Sequence, residues 1–402
     1  MAELSALTPR GRRILLAAVL LYAVVTIPLA VHKGEDIASE FAQSDLLLRG
    51  LPVYLTPQNQ GVWWPPFALL SIAPFALIAH LSLPLAKGCW AAFSVLCLAW
   101  SLWRTQRFGG RAMVFALLAV ALPIQYNFQH LNINTPLLAL AIATADDLEH
   151  HEARAGAWTA AATALKLFPA LLILLFAFRR KWRAFGVASA GALLLTYASM
   201  LPYGLIGAGQ AVVRWVRLDL EATSYQGAAV ATLGMQKLSR LVYALDGNVV
   251  AVVIAHLALL TLIWWALASA EWRVRSAESP TRHSPLHIPH SAFRDVGIVL
   301  LAACLLSPIG WLHTFTLAYP LWVCALALPE PGRPWWRTAL WVMAGVLTSG
   351  YLAKVPWPHT LAWVAGHNDT LGSLLLLGLV ATAPAPPAAT TATMAPPSLG
   401  TP

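Results

Sequence analysis

Charge is what this sequence has least of. Of its 402 residues, 11% are Asp, Glu, Lys or Arg, against 58% hydrophobic. A water-soluble domain carries roughly 25% charged residues, so the scarcity excludes a soluble globule, which needs more charge to cover its surface. Aliphatic and aromatic surface is too abundant for a disordered chain. Length alone suggests two or three soluble domains; the composition overrides that and indicates one polytopic membrane domain. Cysteine is scarce too. Cys89, Cys97, Cys304 and Cys324 all sit inside apolar runs with no C-x-x-C pair, which reads as buried small hydrophobes rather than a disulfide or metal framework. Acidic residues are outnumbered, leaving a net charge of +9. In a membrane protein that excess belongs to cytoplasmic loops, and no nucleic-acid partner is expected.

Long apolar runs are present in number. Ile14–Val31 is 18 residues, about 27 Å as a helix, close to the roughly 30 Å hydrocarbon core. Arg10, Arg12 and Arg13 precede it, and charged rather than small residues follow, so it reads as a retained first transmembrane helix and not a cleaved signal. Further runs lie near 67–84, 88–103, 112–124, 134–145, 157–178, 184–201, 248–270, 296–309, 311–328, 338–352 and 370–384. Backbone in lipid must satisfy its own hydrogen bonds, so these runs are helices. The expected fold is all-α, a polytopic bundle of about twelve helices.

Lys and Arg set the orientation. Thirteen of them, at positions 10–13, 179–183, 273–294 and 333–337, fall on one proposed side, against seven (Lys33, Arg49, Arg214, Arg217, Lys237, Arg240 and Lys354) on the other. The first set is therefore cytoplasmic. Simple alternation places Arg104, Arg107 and Arg111 outside, against the rule. Splitting 157–178 into half-helices around Lys166 and Pro169 moves them inside, provided 67–103 crosses once or three times. The resulting organisation is a cytoplasmic tail 1–13, a transmembrane domain 14–384 with outer loops 32–66 and 202–247 and a cytoplasmic linker 272–295, and a disordered Ala/Pro/Thr-rich tail 385–402. Outer loops that long are usually functional. His283, His287 and His290 belong to the proline-interrupted linker and read as solvated, not as a metal site.

The chain has no G-x-x-x-x-G-K-[ST], G-x-S-x-G, H-E-x-x-H or D-x-D element. The chemistry left open is membrane-embedded or outward-facing. Four stretches carry it. In the first outer loop, Glu35, Asp36 and Glu40 open a stretch that reads as an amphipathic helix to Leu48. Ile37, Phe41, Leu47 and Leu48 are expected on the membrane and Ser39, Glu40, Gln43 and Ser44 toward water, with Gly50 ending the helix. Asp36 is either a solvated juxtamembrane acid or a general base at the mouth of the bundle. Within 125–140, Asn127, Gln129, His130, Asn132 and Asn134 form either a cavity-lining polar surface or a plain polar turn. Lys166 sits among apolar residues three positions before Pro169. It either snorkels or pairs with a phosphate beside a helix break. Trp311 and His313 stand at the entrance of a late helix, where a lone histidine is either structural or part of the site.

The order and spacing of these stretches resemble glycosyltransferase family 87, polyprenol-phosphate-dependent type C glycosyltransferases that include mycobacterial α-1,2-mannosyltransferases. The residues that carry the resemblance are Asp36, Gly50 with Tyr54, "WPPF" at 64–67, "HLN" after Gln129, "KLFP" at 166–169 and "SPIGWLHT" at 307–314. It spans most of 14–330. Trp64 stands where the family has tyrosine, His130 separates Gln129 from Leu131-Asn132, Gly310 replaces a serine and Thr314 a second histidine. An "N-Q-S" element survives only as "SYQGA" at 224–228. The resemblance implies a type C glycosyltransferase-like fold in the cell membrane. It implies transfer of a hexose, mannose by family analogy, from a polyprenyl-phosphate sugar to an extracytoplasmic lipid or glycan acceptor, with inversion. Asp36 is then the base; His313, Lys166, Arg214 and Arg217 meet the donor phosphate; Tyr54, Trp64, Gln129, His130, Asn132 and Trp311 line the substrates. No cofactor or metal is implied. A lipid or solute transporter is the alternative, and it calls for an internal repeat and paired ionisable residues deep in several helices.

Overall fold

A computed structural model describes residues 7–53, 64–222, 249–277, 287–307, 310–327, 333–358 and 366–383, with a few isolated positions between them. Tyr54, the 224–228 element, His283 and the tail from 385 lie outside the described residues.

The described chain is helical throughout, with seventeen α-helices and short 3-10 turns. The first five are α1 (Pro9–Lys33), α2 (Glu35–Leu48), α3 (Pro66–Ser71), α4 (Ala73–Ala79) and α5 (Leu83–Thr105). Next come α6 (Gly110–Ala119), α7 (Ala121–His130), α8 (Asn134–Asp147), α9 (Glu152–Leu165), α10 (Leu171–Phe178), α11 (Trp182–Ala198) and α12 (Gly204–Ala222). The last are α13 (Val249–Ala277), α14 (His287–Leu306), α15 (Tyr319–Ala327), α16 (Trp335–Thr348) and α17 (Asn368–Ala381). α1 begins at Pro9, inside the expected tail, with Thr8 capping it through its hydroxyl. α13 and α14 extend into the expected linker from both sides.

Among the described residues, three helices are long and apolar enough to cross a membrane, at 9–33, 83–108 and 250–268. Two bent pairs add up to two more: α6 with α7 at 61°, and α11 with the start of α12 at 46°. Shorter apolar helices at 168–178, 312–327 and 368–381 are the elements expected to pack on one another rather than span lipid alone.

Small residues let these helices approach. A Cβ on Gly156 of α9 would lie 2.6 Å from the Ala184 carbonyl of α11, and one on Gly191 of α11 would lie 2.8 Å from the Ala160 methyl. Gly297 of α14 meets Leu321 of α15, and Gly372 of α17 meets Thr348 of α16, in the same way. With lipid tails as apolar as leucine, close van der Waals contact of this kind is what holds membrane helices together.

Ion pairs gather at one end of the bundle. Arg104 and Arg107 both bind Asp146, Arg154 binds Asp147, and Lys181 reaches Glu149 and Glu152. Arg179 and Arg294 share Asp295, and the Arg107 guanidinium lies 4.8 Å from the Phe293 ring centroid. Leu7 packs over Gly110, so the arginine-rich start of α1 is at this end as well. Arg104 and Arg107 thus stand with the other arginines, not opposite them. The reason lies in 67–84, which forms two short helices broken at Ile72 with Pro74 at the start of the second. His80 at its close binds Asp45 of α2 at 2.9 Å, so the segment stays at the far end and α5 alone crosses. The chain then comes back up on α9, breaks at Lys166 in extended backbone, and descends on α10.

α2 differs from the expectation. Its length and its end at Gly50, with φ +64°, match, but the helix is not spread on a membrane. Ile37, Glu40, Phe41, Ser44 and Leu47 are all buried in the protein. The Ser44 hydroxyl donates to the Leu69 carbonyl at 2.8 Å. Of the apolar stripe predicted for lipid, Ile37, Phe41 and Leu47 go into the protein against α3 and α4 while Leu48 stays exposed, and Glu40 and Ser44, predicted to face water, are buried with them.

Candidate active site

The end opposite the arginines holds a polar cluster built by four chain breaks. The first is Gly34. α1 closes with the Gly34 amide donating to the Ala30 carbonyl, and α2 starts at the next residue. A Cβ on Gly34 would lie 2.7 Å from the Ala30 carbonyl oxygen and 2.8 Å from Leu131 Cγ. Only glycine fits there, and the tight turn puts Asp36 in the first turn of α2, where the helix dipole favours a carboxylate.

The second break ends α7. Leu131 takes the left-handed conformation, with φ 52°, and closes the helix just after His130. The loop that follows is bound by its own asparagines. Asn127 accepts from the Asn134 amide at 3.1 Å, Asn132 accepts from the Ile133 amide at 2.9 Å, and Trp90 donates its indole N–H to the Leu131 carbonyl at 2.8 Å. Buried Asn127, Asn132 and Asn134 are therefore structural first. They also present oxygen to the third break: Lys166 Nζ lies 3.4 Å from Asn132 Oδ1 and 3.3 Å from Asn134 Oδ1.

The fourth break is the 3-10 turn Leu312–Ala318, which packs on α7 and brings buried His313 to the cluster. His130 and His313 have ring centroids 5.9 Å apart, and Trp311 stacks on His313 at 6.4 Å with the planes 11° apart. His130 Nδ1 lies 3.5 Å from Asp36 Oδ2, both side chains being partly open to solvent. Asp36 and Glu40 lie within Coulomb range of Lys166, and Lys166 within that of His313. Five residues read from sequence as site candidates, Asp36, His130, Asn132, Lys166 and His313, thus meet in one place, with Trp311 beside them.

The other described candidates take different places. Trp64 is buried against Trp90 at 6.4 Å and so backs the Leu131 loop from behind. Gln129 is half-buried one residue before the site histidine. Arg214 lines a separate cavity of about 160 Å³ with Pro52, Val53, Tyr203 and Gln210, and Arg217 is exposed further along α12.

Two residues of the cluster were not singled out as site candidates from sequence. Glu40 follows Asp36 by one helical turn; it is 4% exposed and its Oε2 has no hydrogen-bond partner. Burial, and next the charge of Asp36, push its carboxyl well above the usual range, with Lys166 opposing them. Its i, i+4 spacing from Asp36 was the available signal. Lys354 binds Tyr126, one turn before His130 on α7; no sequence signal pointed to it.

The arrangement has one partly open carboxylate, a histidine against it, and a second histidine with a lysine beyond. It can accept a proton on one side and neutralise a developing anion on the other.

The sequence model of Glycosyltransferase family 87 matches residues 63–284, over half of the chain. A curated relative from Mycolicibacterium smegmatis (strain ATCC 700084 / mc(2)155) is a polyprenol-phosphate-mannose-dependent alpha-(1-2)-phosphatidylinositol mannoside mannosyltransferase. It is 28% identical over 335 residues, covering 77% of this chain and 70% of the relative. No solved structure matches.

Proposed function

Because the chain belongs to glycosyltransferase family 87, we propose that this membrane glycosyltransferase moves a hexose, mannose by analogy with its relative, from a polyprenyl-phosphate carrier to a lipid acceptor. Asp36 takes the proton of the acceptor hydroxyl as that oxygen attacks the anomeric carbon. The bond from that carbon to the phosphate oxygen breaks, and its electron pair leaves with the lipid phosphate. Phosphate is a good leaving group, so a single base suffices. His313 and Lys166 face the phosphate and offset its growing charge. His130 orients Asp36.

One observation carries the reading: the 3.5 Å approach of His130 to Asp36, which joins the first outer loop to the histidine and lysine cluster. Two further points support it. Asp36 is partly open with His130 against it, while Glu40 is buried and Glu35 is exposed, which favours Asp36 as the single base of an inverting displacement. The arginine-rich end supports a cytoplasmic assignment by the positive-inside rule, which leaves the site on the extracytoplasmic side.

Asp36→Asn keeps the shape and removes the base. In reconstituted membranes supplied with radiolabelled polyprenyl-phosphate mannose and a total membrane lipid extract, this variant is expected to insert normally and to yield no labelled product. Full activity in it removes Asp36 from the catalytic role.

A further inference from the structure

Lys354 lies beyond the region matched by the family model, on the 3-10 turn Tyr351–Lys354 that follows α16. Exposed apolar side chains surround it in sequence: Tyr351, Val355 and Trp357 are 54%, 49% and 37% exposed. Aromatic residues in such a setting mark the level of lipid headgroups. The Trp357 indole N–H donates to the Leu352 carbonyl at 2.8 Å and closes the turn. A lysine there ordinarily snorkels outward into water. This one turns inward: its Nζ donates to the Tyr126 hydroxyl and sits 4.7 Å from the centroid of that ring. Tyr126 in turn stands 5.8 Å from His130, ring to ring. The ladder Lys354, Tyr126, His130, His313, Trp311 therefore runs from an exposed ammonium to the centre of the site.

An ammonium has three protons to donate. Tyr126 takes one, and among the described residues no carboxylate pairs with Lys354. A fixed, exposed cation with donors to spare, among exposed aromatic residues of the kind that favour the headgroup region, matches a lipid phosphate.

We propose that Lys354, held by Tyr126, is a phosphate-binding group at the lipid-facing mouth of the site, separate from Lys166 and serving a lipid-linked substrate. It rests on the functional reading above only in assigning that lipid to the reaction. The phosphate belongs either to the polyprenyl carrier or to a phospholipid acceptor, and the two are separable by experiment.

The full chain is placed in phosphatidylcholine nanodiscs and titrated with polyprenyl monophosphate, with phosphatidylinositol, and with neutral polyprenol as control. Lys354→Met is expected to weaken one of the two phosphate lipids about tenfold and leave polyprenol unchanged; the affected lipid identifies the source. Lys354→Arg is expected to retain binding, and Tyr126→Phe to fall between. Equal binding of both phosphate lipids by wild type and Lys354→Met overturns the proposal. So does wild type that binds neither, an equal loss of polyprenol, or Lys354→Arg that binds no better than Lys354→Met. Lysine-dependent binding by a wild type that transfers no sugar removes the catalytic reading and leaves this site standing.

Discussion

Gly34→Ala tests whether the turn between α1 and α2 sets the catalytic geometry. The added methyl would sit 2.8 Å from Leu131 Cγ and 2.7 Å from the Ala30 carbonyl oxygen. Carbon atoms pack at about 3.5–4.0 Å, so something must move by about 1 Å. Leu131 has little room to give. It is 1% exposed, its backbone is left-handed, and its carbonyl is tied to the Trp90 indole at 2.8 Å. The start of α2 is the freer partner, and it carries Asp36. A 1 Å shift stretches a contact to His130 that is already 3.5 Å long. Overpacking of this kind costs about 1–3 kcal/mol of stability, whereas misplacing a reacting group by about 1 Å can cost ~100-fold in rate.

The expected result is therefore lopsided: a modest fall in thermal stability and a fall of about 100-fold in kcat for sugar transfer in proteoliposomes. The double variant Gly34→Ala with Leu131→Ala makes room for the new methyl and is expected to recover part of the rate. Wild-type kcat in Gly34→Ala would refute the argument, because Asp36 would then tolerate the displacement. A rate loss matched by wholesale unfolding, with no recovery in the double variant, would refute it from the other side.

His313→Ala is expected to raise KM for the polyprenyl-phosphate donor more than KM for the acceptor, measured by varying each against a fixed excess of the other; a defect confined to the acceptor counts against a phosphate-facing His313. Glu40 gives a pH dependence. Its folded carboxyl binds a proton more tightly than an unfolded glutamate, mainly through burial and then through Asp36. The stability it contributes is thus complete below the unfolded value of about 4.3 and is lost as pH rises through the higher folded value. Glu40→Gln is expected to flatten that decline, read as thermal unfolding in detergent from pH 4 to 8 (roughly the carboxylate-to-neutral range); parallel curves for wild type and variant would show that Glu40 does not titrate in the folded protein.

What the sequence revealed of the site follows from cost. Lys166 stands out because an ammonium among apolar residues is expensive, and the helix does break there. Asn127, Asn132 and Asn134 stand out for the same reason, although they serve the loop backbone before any substrate. Periodicity was less complete. It grouped Ile37, Phe41 and Leu47 on one face of α2, but a period of 3.6 residues says nothing of whether that face meets lipid or protein, and here it meets α3 and α4. It also merged two short helices into the single run 67–84, which left the side of Arg104 and Arg107 open.

Lys354 escaped for a different reason. An exposed lysine in an outer segment costs nothing, so composition gives it no weight, and Tyr126 is 228 residues away along the chain. What joins them is the path of α16. The Leu122 amide donates to the Ser349 carbonyl at 3.2 Å, fixing the end of α16 beside the start of α7. Gly350, with φ +78°, lets the chain turn there, and a Cβ on it would press to 3.1 Å against Leu122. From that anchor, the five residues to Lys354 run alongside the four from Leu122 to Tyr126 and bring ammonium and phenol together. The mouth of the site thus depends on a helix-end glycine with no chemistry of its own, its Cβ position packed against Leu122 and, at 3.4 Å, against Leu312 beside His313. A bulky residue at position 350 would be expected to detach Lys354 from Tyr126 while leaving the Asp36–His130 contact in place. Loss of lipid-phosphate affinity with preserved kcat in Gly350→Val is the measurable sign; unchanged affinity would mean that the lysine does not need Tyr126 to hold it.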